Sequence, residues 1–145
     1  MTSSVEPLLL DTSAAIAYVD PDHVSHAAVR AAAAGRALGL AGHAVFETLS
    51  VLTRLPAPKR VSGADAVRLI ERSFPEPRFL DSDAAARLLT EFAERGVIGG
   101  AVYDGLVGAA ARASGCVLLS CDQRARETYD VLGVSYRLAL GKADR

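Results

Sequence analysis

The chain has no tryptophan, one methionine, two cysteines and only two lysines, Lys59 and Lys142, among its 145 residues. Several classes of protein are closed by what is scarce. Cys116 and Cys121 fit no zinc or redox spacing, and two cysteines are too few for a disulfide scaffold. No apolar run approaches the ~20 residues that a membrane-crossing helix needs. The first ten residues carry no Lys or Arg, so the charged start of a secretory signal is missing. Sixteen basic residues against seventeen acidic ones leave a net charge of −1, which argues against a general nucleic-acid coat protein and leaves room for a local basic patch. There is no serine elbow, phosphate-binding glycine loop or cysteine nucleophile motif in a fitting context. The expectation is a cytoplasmic protein with no membrane partner.

What is present describes an ordinary globule, half hydrophobic and 23% charged. The length suits one domain, burying on the order of 70% of its unfolded surface. We expect that domain to span residues 5–140, with short flexible ends. Pro7-Leu-Leu-Leu-Asp-Thr-Ser13 reads as a short strand buried on both faces that ends in a carboxylate, Asp11. In open α/β sheets ligands bind beyond the carboxyl ends of the strands, so Asp11 stands where a site would form.

The rest of the chain alternates between the two periodicities. Helices are expected at Thr12 to Val19, His23 to about Ala34, Gly42 to Leu55 and Ala64 to Ser73, the last with Val67, Leu69 and Ile70 facing inward. Further helices are expected at Ser82 to Arg95, Val102 to Ser114 and Asp122 to Leu132. Short strands are expected at Leu38 to Leu40, Arg78 to Leu80, Cys116 to Leu119 and Val134 to Arg137. Strands alternating with helices indicate an α/β fold with a mainly parallel central sheet flanked by helices, in a single domain.

Three further carboxylates stand out. Asp104 has Ala101, Val107, Gly108 and Ala111 as helical neighbours, none able to pair with it, and a charge on so apolar a face costs several kcal/mol unless compensated. Gly105 and Gly108 each cost about 1 kcal/mol against alanine in a helix. Their small size is expected to keep space free beside that carboxylate. The alternative is that Asp104 caps a helix beginning later. Asp122 follows an apolar run and Ser120-Cys121 with the same grammar as Asp11, and an Asp between strand and helix is commonly an N-cap. Glu47 shares a helix edge with His43, Ser50 and Arg54, which fits a solvated face with a salt bridge. It is also flanked by Ala44 and Val51, at the border of the buried stripe. His23 and His26 beside Asp20 and Asp22 read as a polar helix start rather than a metal cluster.

Taken together, Leu-Leu-Leu-Asp-Thr at 8–12, Glu47 in an apolar helix, Tyr-Asp-Gly-Leu-Val at 103–107 and Leu-Leu-Ser-Cys-Asp at 118–122 resemble a PIN domain, in order and spacing and over essentially the whole chain. The stretches His43 to Pro56 and Arg124 to Val134 resemble the VapC-type toxins of that family, especially mycobacterial ones. The resemblance implies a PIN-like fold in which Asp11, Glu47, Asp104 and Asp122 cluster at the sheet edge, bind Mg²⁺ or Mn²⁺ and cut RNA, tRNA or rRNA being the expected target. It also implies a homodimer, inhibited by a VapB-like antitoxin in a type II toxin–antitoxin module. Thr12, Ser13 and Ser120 would be secondary hydrogen-bonding groups. The chain departs from the pattern at Arg124, where relatives often carry a further acid, and at Ser120, where many have threonine.

The residues agree with that reading on physical grounds. Four crowded carboxylates raise one another's pKa values, and a hard divalent cation with oxygen ligands relieves the strain. Hydrolysis by a metal-activated water needs no histidine and is expected to leave 5′-phosphate and 3′-hydroxyl ends. At so modest a net charge RNA must be held locally, and Arg54, Lys59, Arg60, Arg124 and Arg126 are the candidates. The alternatives are a non-catalytic PIN-like module that binds RNA or protein, and a phosphoacceptor receiver domain. The receiver would need an acidic pair on the first strand, which Asp11 lacks.

Overall fold

The computed structural model describes residues 6–142; the expected domain start at Val5 and the chain ends beyond these limits lie outside the described residues. Leu8, Leu9 and Leu10 form strand β1 and are 0–1% exposed, so all three are covered on both faces. Burying a leucine side chain stabilises by about 1.5–3 kcal/mol, and this strand sits at the centre of the core. Helix α1 follows at once over Thr12–Val19, then α2 over His26–Ala33 and strand β2 over Leu38–Leu40. Next come helices α3 (Ala44–Thr53), α4 (Gly63–Ser73), α5 (Ser82–Arg95) and α6 (Ala101–Ser114). Strand β3 (Leu118–Ser120), a 3₁₀ turn (Gln123–Ala125), helix α7 (Arg126–Val131) and strand β4 (Tyr136–Leu138) complete the order.

The four strands make one parallel sheet in the order β2-β1-β3-β4. After β1 the chain builds β2 on one side, then returns to build β3 and β4 on the other. The order therefore reverses between β1 and β3, and a crevice opens beyond the carboxyl ends of strands at such a switch. Asp11 directly follows β1 and Asp122 lies two residues past β3. The outer helices are tied together by Arg112 of α6, whose guanidinium donates to both carboxylate oxygens of Glu91 on α5 at 2.8 Å and to the Leu132 carbonyl at 2.8 Å.

Several expected elements differ. Arg78 to Leu80 is no strand: Arg78 makes a single bridge to Ala41 as the chain straps the free edge of β2, with Pro77 in the strap lacking an N–H. Glu76 donates to the Leu38 carbonyl and Arg78 to that of Leu40. The strap comes so close that a Cβ on Gly39 would meet the Glu76 carbonyl oxygen at 1.8 Å, and only glycine fits. Helix α2 starts at His26, after a turn in which the Ser25 N–H is bonded to Nδ1 of His23. The expected helix at Asp122 to Leu132 begins as the 3₁₀ turn and becomes α-helical only at Arg126. In α4 the buried stripe is Ala66 and Ile70, with Leu69 partly covered, and Val67 faces outward at 42% exposure. Among the described residues no helix is long and apolar enough to cross a membrane.

Candidate active site

Asp11 is 5% exposed and has both oxygens of its carboxylate engaged. Its Oδ1 caps α1, accepting from the Ala14 N–H at 3.0 Å and from the Ser13 hydroxyl at 2.6 Å. Its Oδ2 accepts from the Tyr129 hydroxyl at 2.8 Å. Burial pushes its pKa above the ordinary carboxylate value, against the pull of Ser120, Ser13, Ala14 and Tyr129. The capping role and the position at the switch point are thus held by one side chain.

The other three acids arrive from three elements. Asp104 is the fourth residue of α6, whose N-cap is Gly100, so it does not cap the helix. Its carboxyl is raised to about 6, first by burial and then by the charges of Asp122, Asp11 and Glu47. Asp122 caps the 3₁₀ turn, its Oδ1 accepting from the Arg124 N–H at 2.9 Å. Glu47, one turn into α3, has its Oε1 3.5 Å from Nε2 of His43 and its Oε2 3.5 Å from the Thr12 hydroxyl. Asp11, Thr12, Ser13, Glu47, Asp104, Val107 and Asp122 line one cleft of about 90 Å³.

The serine hydroxyls knit the two strand ends together. Ser13 Oγ accepts from the Cys121 N–H at 2.8 Å and lies 3.4 Å from Ser120 Oγ, which itself accepts from the Asp122 N–H at 3.0 Å. This fixes the backbone after β3 against that after β1, and so fixes Asp122 relative to Asp11.

The two helix glycines have another role than that expected of them. A Cβ on Gly105 would lie 2.8 Å from the Phe92 ring, and one on Gly108 would lie 2.9 Å from Val134 and 3.1 Å from the Tyr129 ring. They admit neighbouring side chains to the helix rather than keeping space beside Asp104.

The basic candidates fall in two places. Arg124, its side chain 96% exposed, has Nε 3.8 Å from Asp122 Oδ1, and Arg126 shares an open groove with it. Lys59 instead pairs with Asp20 at 2.9 Å and Asp22 at 3.2 Å. Asp20 closes α1, about 13 Å along the helix from Asp11 at 1.5 Å per residue. Arg60 donates to the Leu55 carbonyl, and Arg54 ends α3 beside Ser50.

His43, expected on the same helix edge as Glu47, reaches it and also stacks on exposed Tyr103, with centroids 5.4 Å apart. Tyr129 is the residue at the site that carries no expectation from the sequence. His23 and His26 serve local bonds, the latter through Nδ1 to the Ala17 carbonyl.

Comparison with known proteins agrees with the fold. The PIN domain family model matches residues 8–131. The chain belongs to the PIN-domain family. It is 44% identical to ribonuclease VapC27 of Mycobacterium tuberculosis over 128 residues, covering 88% of this chain and 93% of that one. It is 45% identical to ribonuclease VapC40 of the same organism over 131 residues, covering 88% and 96%. Among solved structures, FitAB bound to an IR36 DNA fragment superposes with a TM-score of 0.64 at 18% identity, covering 91% of this chain and 94% of that one. FitAcB from Neisseria gonorrhoeae gives 0.63 at 19% identity, covering 89% and 95%. These two likenesses concern the fold alone.

Proposed function

We propose that this PIN-domain chain is a Mg²⁺- or Mn²⁺-dependent endoribonuclease, the toxin of a type II toxin–antitoxin module, with Asp11, Glu47, Asp104 and Asp122 as its metal-binding acids. The observation that carries the reading is the convergence of Asp11, Glu47, Asp104 and Asp122 on one cleft, where burial and the other three charges raise the Asp104 carboxyl to about 6. So much uncompensated negative charge at a strand switch is relieved by a cation.

The donor set suits a hard divalent ion: every acid in the cleft offers oxygen, with no thiolate among the lining residues. Among the described residues no three His, Cys, Asp or Glu side chains already close on a single point. Mg²⁺ keeps several of its waters and is held by few direct carboxylates, so all four acids need not touch one ion. When bound, such an ion supplies the charge that activates a water and steadies the leaving oxygen in phosphodiester hydrolysis. Asp11, held on both oxygens, would be the most rigid ligand, and Asp104 would ligate in its ionised form. Thr12 orients Glu47, while Ser13 and Ser120 lock the two strand ends. Arg124, 3.8 Å from Asp122 at the cleft, and Arg126, which lines the same groove as Arg124, are the contacts proposed for RNA phosphates. The RNA substrate is supported by 44–45% identity to two mycobacterial VapC ribonucleases.

The VapB-like antitoxin and the homodimer rest on the resemblance to VapC-type toxins. Phe46 and Phe79, 60% and 55% exposed with centroids 6.3 Å apart, are apolar surface that a second copy would cover. The test of the function is to express the chain without an antitoxin and sequence the 5′ ends of the RNA fragments. Growth arrest with a recurring 5′-phosphorylated cut is expected from wild type, and neither from Asp11→Asn. Equal toxicity of the variant would point to the non-catalytic alternative.

A further inference from the structure

Tyr129 lies outside every acidic motif, yet its hydroxyl ends at the most buried acid of the cleft. The phenol of α7 donates to Asp11 Oδ2 at 2.8 Å, while Oδ1 is engaged by α1 itself through the Ala14 N–H and the Ser13 hydroxyl. The direction of Oδ2 is thus set from across the fold. The ring that sets it is held on several sides: Tyr129 is 1% exposed, its ring is tilted against Tyr136 at 5.5 Å, and its edge lies 3.1 Å from where a Cβ of Gly108 would stand. Gly108 of α6, Tyr129 of α7 and Asp11 after β1 form one packed line into the acidic site. A buried phenol needs an acceptor, but a backbone carbonyl would serve. Here the acceptor is a carboxylate that lines the cleft.

We propose that Tyr129 is a positioning residue of this site: its hydroxyl fixes which face of the Asp11 carboxylate is presented to the cleft, and thereby sets the affinity for a divalent cation. The proposal rests on the metal-binding reading above. Groups that hydrogen-bond to metal-ligating side chains orient them, and losing one costs about 10–100-fold in metal affinity or activity. Tyr129→Phe removes only the hydroxyl and keeps the ring in its slot against Gly108 and Tyr136.

The test is Mn²⁺ binding to metal-free wild type and Tyr129→Phe by titration calorimetry, with far-UV circular dichroism to show that the variant is folded. About 10–100-fold weaker binding by the variant is expected. Unchanged affinity in a folded variant overturns the proposal, and absence of Mn²⁺ binding by wild type overturns the metal reading with it. A second measurement needs no change at Tyr129. In Tyr103→Phe protein, which lacks the exposed tyrosine beside Asp104, saturation with Mg²⁺ should shift the near-ultraviolet absorption of the remaining tyrosines. A spectrum that does not respond to bound Mg²⁺ means that the Tyr129–Asp11 bond does not sense the site, and the proposal fails even if Tyr129→Phe does not fold.

Discussion

Asp122 is the charged neighbour that weighs most on Asp104: after burial, its carboxylate contributes most to lifting the Asp104 carboxyl to about 6. The two reach the cleft from different directions, one from the first turn of α6 and one from the turn after β3. Their proximity is a tertiary fact, and it makes the ionisation of the cleft depend on pH.

In metal-free protein the folded state holds the Asp104 proton up to about 6, whereas an unfolded chain releases it near the ordinary aspartate value of 3.8. Between those values the native state binds more protons than the unfolded one, so this group's contribution to stability falls as pH rises. Asp104→Asn keeps the shape and removes the titration. The metal-free variant should melt no lower than wild type at neutral pH, and its advantage should shrink towards about pH 4, where wild-type Asp104 is protonated in the folded state. A difference in melting temperature that does not change with pH would remove the cause assigned to the shift.

If RNA crosses the cleft beside α7, neutralising Arg124 and Arg126 together should lower the magnitude of the salt slope of RNA binding, by about one unit for each phosphate that an arginine no longer neutralises. Lys59 is already paired with Asp20 and Asp22 at the far end of α1, so Lys59→Gln with Arg60→Gln should change the slope less. The reverse ranking would place the RNA along α3 and the 56–62 loop.

Gly105→Ala adds about 1 kcal/mol of helix propensity but drives a Cβ to 2.8 Å from the Phe92 ring, and overpacking of this kind costs about 1–3 kcal/mol. The variant should be net destabilised in a urea melt. A stabilised variant would show that Phe92 yields at little cost, as beside an exposed helix glycine.

The sequence makes the central strand legible because three leucines followed by an aspartate satisfy one pattern with one meaning. The four acids are legible through their order and spacing, and Asp104 through its apolar helical neighbours. The edge strap at 76–80 is not, because its course depends on Gly39 yielding to the Glu76 carbonyl, which brings distant segments together. The helix glycines mislead for the same reason: what fills the space beside a glycine is decided by other elements, here Phe92 and Tyr129. Tyr129 itself looks like any core aromatic in the sequence. Its bond to Asp11 exists only once α7 packs on α6.

The central claim is that the clustered acids act through a bound divalent ion, and RNA cleavage by rigorously metal-stripped protein tests it most directly. With EDTA present cleavage should cease, and added Mg²⁺ or Mn²⁺ should restore it to wild type and not to Asp104→Asn. Undiminished cleavage by the metal-free protein would contradict the account.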